Sequence, residues 1–479
     1  MCLQNMVRLD FKQIGVEILA LCILAFFGCN KFVKVPEPIN SVTTGQVFST
    51  DATAIAAILG IYSNMSGSEG QQSFSDYLTT FYLGESADEL TDGDYVYNLY
   101  LINELTASFG NTLGSYFWVP AYYDIYNANA VISGAQASTG MSTGGKTELT
   151  GEAKFIRAFC YFYLTNIYGD LPLVLSVDFN QTVLLPRTSQ AGIYQQIISD
   201  LQDAQRTLPS DFSLSGGQPI RANKWAATSL LARVYLYRQN WTGADSAASA
   251  VINSNQFRLV SLDSVFLANS AEAILQLQSQ TINYPYATWE GYNFIPYDST
   301  SSVTVWLTSQ LLSAFEDSDQ RRVNWVDSTD YNGQYYDYAF KYKVQVGNAN
   351  AAPLENYTLL RFAEQYLIRA EADAHGGGGG IPQSIADLNV IRMRAGLPAY
   401  SGANDQQSIL NAIMHENRIE FFAELGHRWL DLRRWGLAIQ TLGAISYKAG
   451  NIDSTQLLYP IPPSEIQTDP NLTQNPGYH

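Results

Sequence analysis

Apolar positions crowd residues 151–174 (GEAKFIRAFCYFYLTNIYGDLPLV) so densely that no wide polar face remains. Ala153, Phe155, Ile156, Ala158, Phe159, Cys160, Phe162, Tyr163 and Leu164 cover every side, and a helix that is apolar all round is a buried one. Gly169 supplies the left-handed stop and Pro172 blocks a restart. The pattern predicts a central core helix.

Helical spacing recurs on both sides of it. Ser49-Thr50-Asp51 caps a predicted helix to about residue 65, and Trp118, Tyr122, Ile125, Tyr126, Asn129 and Ile132 predict another over about 116–133. Thr188-Ser189 caps a third over 193–208. Residues 222–253 form the clearest repeat: AATSLLARVYLYRQ, a tight turn, then a helix with Ala244, Ala247, Ala248 and Val251 on one face. Two short helices packed through alanines over about 34 residues is the tetratricopeptide pattern. A second pair is read over 357–375 and 384–393, around a flexible glycine run at 376–380, and the central helix with 193–208 makes a third. Such units cannot bury their faces alone, so they stack.

The periodicity fades twice. Residues 77–111 read as irregular, and from about 256 to 356 Tyr and Asn rise while regular spacing disappears. So long an insertion is a second subdomain or a set of functional loops. The expected fold class is mainly α: tetratricopeptide-like helix pairs with a large irregular, loop-rich subdomain. The scaffold covers about 45–255 and 357–445, within one domain over 29–479.

The 479 residues carry a net charge of −17, which excludes nucleic acid as a partner, because phosphates demand a basic surface. Three of the four cysteines precede residue 30, so the folded body has no disulfide framework or thiolate metal site. Arg8 and Lys12 lead into the apolar run ILALCILAFF, too short to span a bilayer but suited to a signal peptide over 1–28. Gly28-Cys29 closes it as a lipoprotein signal does, making Cys29 the expected lipidation site and the mature chain anchored, not spanning.

Residues 140–147 (GMSTGGKT) match a phosphate-loop pattern and, at Gly140-x-Ser142-x-Gly144, a nucleophile elbow. Both need a preceding strand, and a helix tail precedes them here, so they read as a flexible interhelical loop. The four histidines have no metal-ligand spacing, and no metal or cofactor is expected through them. Glu85, Asp88, Glu89, Asp92 and Asp94 form a carboxylate run, read as a solvated acidic loop. A glycosidase would draw an acid and a nucleophile from it, and Asp92-Gly93-Asp94 offers the oxygens that Ca²⁺ takes, without a full calcium loop. Arg418, Arg428, Arg433 and Arg434 alternate with Glu416, Glu420, Glu424 and Asp431 at three- and four-residue spacings, which predicts ion pairing within a helix bundle.

Taken together, Cys29, GEAKFIRAFCYFYLTNIYGDLPLV, FAEQYLIRAEADA with LNVIRMRAGLP, ENRIEFFAELGHRWLDLRRWG and the end LYPIPPSEI…DPNLTQNPGY resemble the SusD/RagB family of outer-membrane lipoproteins over essentially the whole chain. The resemblance implies a non-catalytic lid over a TonB-dependent, SusC-like outer-membrane transporter. It also implies lipid anchoring that faces the cell exterior, and capture of oligosaccharides or, in a minority, peptides. The residues leave three functions to compare: glycan capture, oligopeptide capture and, least favoured, glycoside hydrolysis. Sugar rings present flat apolar faces that Tyr and Trp match with little entropy to lose. Helix-pair aromatics are committed to packing, so the platform is expected in the irregular stretches. The expected ligand-binding set is Tyr95, Tyr97, Tyr284, Tyr286, Trp289 and Tyr292, with Asp92, Asp94 and Asn98 bonding hydroxyls.

Overall fold

Ser142 opens the longest helix by accepting a hydrogen bond from Gly145 N–H at 2.9 Å, and Asp51 in turn holds the Ser142 hydroxyl at 2.6 Å. The computed structural model describes residues 44–67, 72–279, 285–298, 301 and 303–478, so the leader, Cys29 and Tyr284 lie outside the described residues. A first unit ends at Val47 with the short helix Thr44–Val47; a second comprises Phe48–His479 and holds all that follows. It is mainly helical, 51% helix against 8% strand. Among the described residues no helix is long and apolar enough to cross a membrane.

The helices used below are α1 (Asp51–Met65), α2 (Tyr77–Ser86), α3 (Val119–Ala137), α4 (Thr143–Tyr168), α5 (Gln190–Thr207), α6 (Lys224–Tyr237), α7 (Trp241–Ile252), α8 (Trp289–Phe294), α9 (Phe362–Ala374), α10 (Gly380–Arg394), α11 (Gln406–Glu420) and α12 (His427–Arg434). The central helix is α4. It starts at Thr143, earlier than its apolar run suggests, because the Ser142 cap carries the polar first turns. Those turns contain most of the phosphate-loop match, which is therefore a capped helix start and not a flexible loop. At the other end Gly169 has φ +78, donates its N–H to Thr165 and lies against Leu458.

Around α4 the pairs stack as expected. Ala232 and Leu236 on α6, Ala244, Ala247 and Ala248 on α7, and Ile368 and Ala372 on α9 form one apolar cluster, so small residues carry one pair onto the next. A second cluster joins α9, α10 and α11 through Leu367, Leu388, Ile391, Ile409 and Ile413. The glycine run at 376–380 is tied down rather than flexible: Gly378 N–H donates to Asp245 and Gly379 N–H to Asp373.

Other readings change. Residues 77–111, read as irregular, contain α2, which is buried on nearly every side and so shows no amphipathic period. The helix expected from residue 357 starts at Phe362; Tyr357–Arg361 is a fully buried strand paired antiparallel with Ala273–Leu277. The insertion also holds α8 and the hairpin Val326–Tyr331/Gln334–Ala339, which turns at Asn332 and Gly333, both with positive φ. The arginines and carboxylates of 416–434 mostly bridge elements instead of pairing along one helix. Arg321 joins Asp319, Glu416 and Glu420; Arg361 joins Glu272, Glu420 and Glu424; Arg434 alone of these also pairs at i,i+3, with Asp431.

Candidate functional site

The acidic stretch that begins in the last turn of α2 divides into a buried half and a half that shapes an exposed loop. Glu85, Asp88 and Glu89 are buried, which corrects the expectation of a solvated run. Burial alone would raise Asp88, but Arg428 at 2.7 Å and Arg418 at 2.7 Å outweigh it and hold the carboxyl below its ordinary value. Glu89, without so close a cation, is pushed up to about 8 by burial and by Asp88. Burial also raises Glu85, whose two oxygens both accept from Asn98 Nδ2, at 3.0 and 2.9 Å.

Asn98 is the knot of the loop. Its amide nitrogen also donates to Asp92 at 2.9 Å, while its amide oxygen accepts from the N–H groups of Tyr100 and Leu101. Both ends are committed, so Asn98 positions the loop and is not the free hydroxyl-bonding group expected of it. Asp92 Oδ1 accepts from Asp94 N–H, and Asp94 Oδ1 accepts from Val96 and Tyr97 N–H, curling residues 92–98 into a succession of turns. The curl throws Tyr95 (46% exposed) and Tyr97 (82% exposed) outward.

A strand from the insertion completes this surface. Leu90–Thr91 pairs antiparallel with Trp306–Leu307, and Thr308 stitches the junction by donating to the carbonyls of Asp88 and Glu89. Val305 and Leu307 point into the core, so Trp306, half-buried, points the other way. Its ring lies over Gly93: a β-carbon there would stand 2.6 Å from the indole, and φ is +80, so only glycine fits. Tyr336 meets Trp306 edge-on at 4.9 Å, and Tyr95 packs against Tyr447 at 4.9 Å. The result is an aromatic face of Tyr95, Tyr97, Tyr447, Trp306 and Tyr336 beside the Asp92 and Asp94 carboxylates. Among the described residues no group of three or more His, Cys, Asp or Glu is placed to hold a metal.

The other expected aromatics sit elsewhere. Trp289 is 8% exposed, with no face open to a ligand. Thr288 caps α8 by accepting from Gly291 N–H, Glu290 and Phe294 are buried with Trp289, and Gly291 lies hard against the Val344 carbonyl. The turn was read as a loop because α8 is too short to show a period. Tyr292 stands edge-on to Trp289 at 5.7 Å, and Tyr286 is half-buried with φ +60. The structure thus brings Tyr95, Tyr97, Asp92 and Asp94 to one face, leaves Trp289 and Tyr292 packed together on α8, and sets Tyr286, half-buried, before that helix. Trp306 was missed, although the alternation Val305-Trp306-Leu307 marks it as the outward residue of a short strand. Nothing near Tyr447 in sequence signals that it joins Tyr95.

Residues 277–478 match a model of the SusD family, and residues 52–236 match a related model described as "Starch-binding associating with outer membrane". A SusD-like protein of Formosa agariphila is 28% identical over 525 aligned positions, covering 98% of this chain and 100% of that one. A SusD superfamily structure from Bacteroides vulgatus superposes with a TM-score of 0.76 at 23% identity, covering 90% of this chain and 100% of its own. A laminarin-binding SusD-like protein gives 0.73 at 21% identity, covering 89% and 99%. The SusD family is non-catalytic, which removes the hydrolase reading. With two family models tiling both halves and a relative aligned from end to end, the chain belongs to the SusD family.

Proposed function

We propose that this protein captures an oligosaccharide at the outer face of the outer membrane, without catalysis, and delivers it to a TonB-dependent transporter of the SusC type. The observation that carries the reading is the aromatic face: Trp306 seated over Gly93, flanked by the Tyr95–Tyr447 pair. Flat rings beside carboxylate acceptors suit the alternating apolar faces and hydroxyls of a sugar chain. The description of the family model and the laminarin-binding structure of the same fold support a glycan over a peptide.

Trp306→Ala and Tyr95→Ala should each weaken binding of a glycan selected from an oligosaccharide array by about 1 kcal/mol or more, with an unchanged melting temperature. Trp289→Ala, by contrast, should lower the melting temperature, as removal of a buried Trp does. Unchanged affinity in both Trp306→Ala and Tyr95→Ala would move the site elsewhere. A peptide pool that binds while the array stays silent would transfer the function to peptides.

Anchoring rests on Cys29. Cys29→Ala should release the protein from the membrane fraction, and mild detergent extraction of the unaltered protein should bring down a large β-barrel. Unaltered fractionation of the variant, or repeated recovery of a lone monomer, would count against the respective half of this reading.

A further inference from the structure

A cavity of about 560 Å³ lies between the C-terminal ends of α4 and α6, α5, α12 and the last residues of the chain, and none of its lining belongs to the aromatic face. Four arginines line it, Arg187, Arg238, Arg433 and Arg434, against a single carboxylate, Asp170. In a chain with 27 basic and 44 acidic residues such a concentration of positive charge runs against the composition. Elsewhere buried arginines meet carboxylates: Arg157 with Asp200, Arg221 with Glu152, Arg233 with Glu364, Arg321 with Glu416. Here only Arg434 does, with Glu371 and Asp431.

The other three form no ion pair among the described residues. Arg433 is largely buried and donates from Nη1 to the Asn166 carbonyl, while Nε and Nη2 have no partner among the described residues. Burial pulls its guanidinium down to about 10, against the opposing influence of Tyr194, Tyr459 and Tyr237. Arg187 is fixed by neutral acceptors, the carbonyls of Asp170, Thr473 and Tyr168 and the Asn475 side chain, so its geometry is set, and the nearby Asp170 carboxylate offsets its charge without an ion pair and less than burial costs it. Arg238 stacks over the Tyr194 ring at 5.1 Å and is exposed. Asp170 is already engaged, accepting from Gln190 N–H at 2.8 Å. A desolvated guanidinium without a counter-charge is costly, and a ligand that supplies the charge recovers that cost.

We infer that this cavity is a second binding site, one that takes an oxyanion-bearing ligand of sugar size, a uronate or a sulfated saccharide. Planar guanidinium groups match carboxylate and sulfate oxygens in pairs. The volume exceeds what a bare ion fills and falls within the range of small-molecule sites. Tyr237 and the Gln190 side chain, whose amide nitrogen is held by the Thr165 carbonyl, line the space left for the rest of the ligand.

The test is calorimetric titration of the full chain at low salt with glucuronate, sodium sulfate and neutral glucose. Glucuronate should bind and glucose should not, and sulfate should compete with glucuronate for one site. Arg238→Ala, at an exposed position that leaves folding intact, and Arg433→Met should each weaken glucuronate by about tenfold, the worth of a charge-assisted hydrogen bond. If Arg433→Met does not fold, Arg238→Ala and Arg238→Glu decide. No binding of either anion, equal binding of glucose, or glucuronate affinity unchanged in both Arg238 variants would overturn the site. Sulfate binding without glucuronate binding would overturn the saccharide.

Discussion

Glu290, on α8, has Thr80 as a donor at 3.3 Å and forms no ion pair among the described residues, and burial pushes its carboxyl up to about 8. In the unfolded chain the same group titrates near 4.3. Between those values the folded protein keeps a proton that the unfolded chain has released. Its contribution to stability is therefore full at low pH and lost as pH rises through about 8, by up to about 1.4 kcal/mol per pH unit. Lys341 and Lys448, lowered by burial to about 8 and about 7, act in the opposite direction over part of this range. The informative quantity is thus the difference between two proteins. From pH 5.5 to 8, urea unfolding should show Glu290→Gln gaining steadily on the unaltered protein. A difference that stays constant across that range would mean that Glu290 ionises in the fold as freely as in water.

Among the elements, the short helix Gln320–Asn324 does more than its length suggests. It delivers Arg321, fully buried, to Asp319, Glu416 and Glu420, and so fastens the insertion to α11. Arg321→Met should cost about 3–5 kcal/mol in urea unfolding, because it strands carboxylates that cannot reach water. A loss below about 1 kcal/mol would show that Arg361 and Arg394, both of which also pair with Glu420, neutralise it without help. At this scale much was legible in advance. Thr50 and Ser189 cap helices where the sequence places them, and the alanine faces of 222–253 pack as their spacing announces. What escaped was whatever is buried on all sides or completed from a distance. The residues of α2 have no polar face to set a period, and Tyr357–Arg361 becomes a strand only because Ala273–Leu277 lies beside it. The candidate site divides in the same way. Tyr95 and Tyr97 follow from local turn chemistry, Trp306 from a short alternation, and Tyr447 from contact alone. Trp289 was misjudged because a lone Trp in an aperiodic stretch looks the same inside and out.

For the whole molecule, the C-terminal segment closes on the end of the central helix. Tyr459 donates its backbone N–H to Ile167, Asn475 donates to the carbonyls of Tyr168 and Tyr459, and the Tyr459 hydroxyl bonds Ser86 at 2.8 Å. Lys448 reaches back in the same fashion to the carbonyls of Glu85 and Leu101. The C-terminal segment is therefore the last course laid over the end of α4, and it joins partners hundreds of positions upstream. Contacts of such long range form slowly, because the loop between them must close before they are rewarded. A chain emerging from the ribosome has its central helix complete long before the residues that seal it exist. Until the final stretch is made, the core stays open, and a polypeptide that cannot finish folding is one that an export channel can still thread.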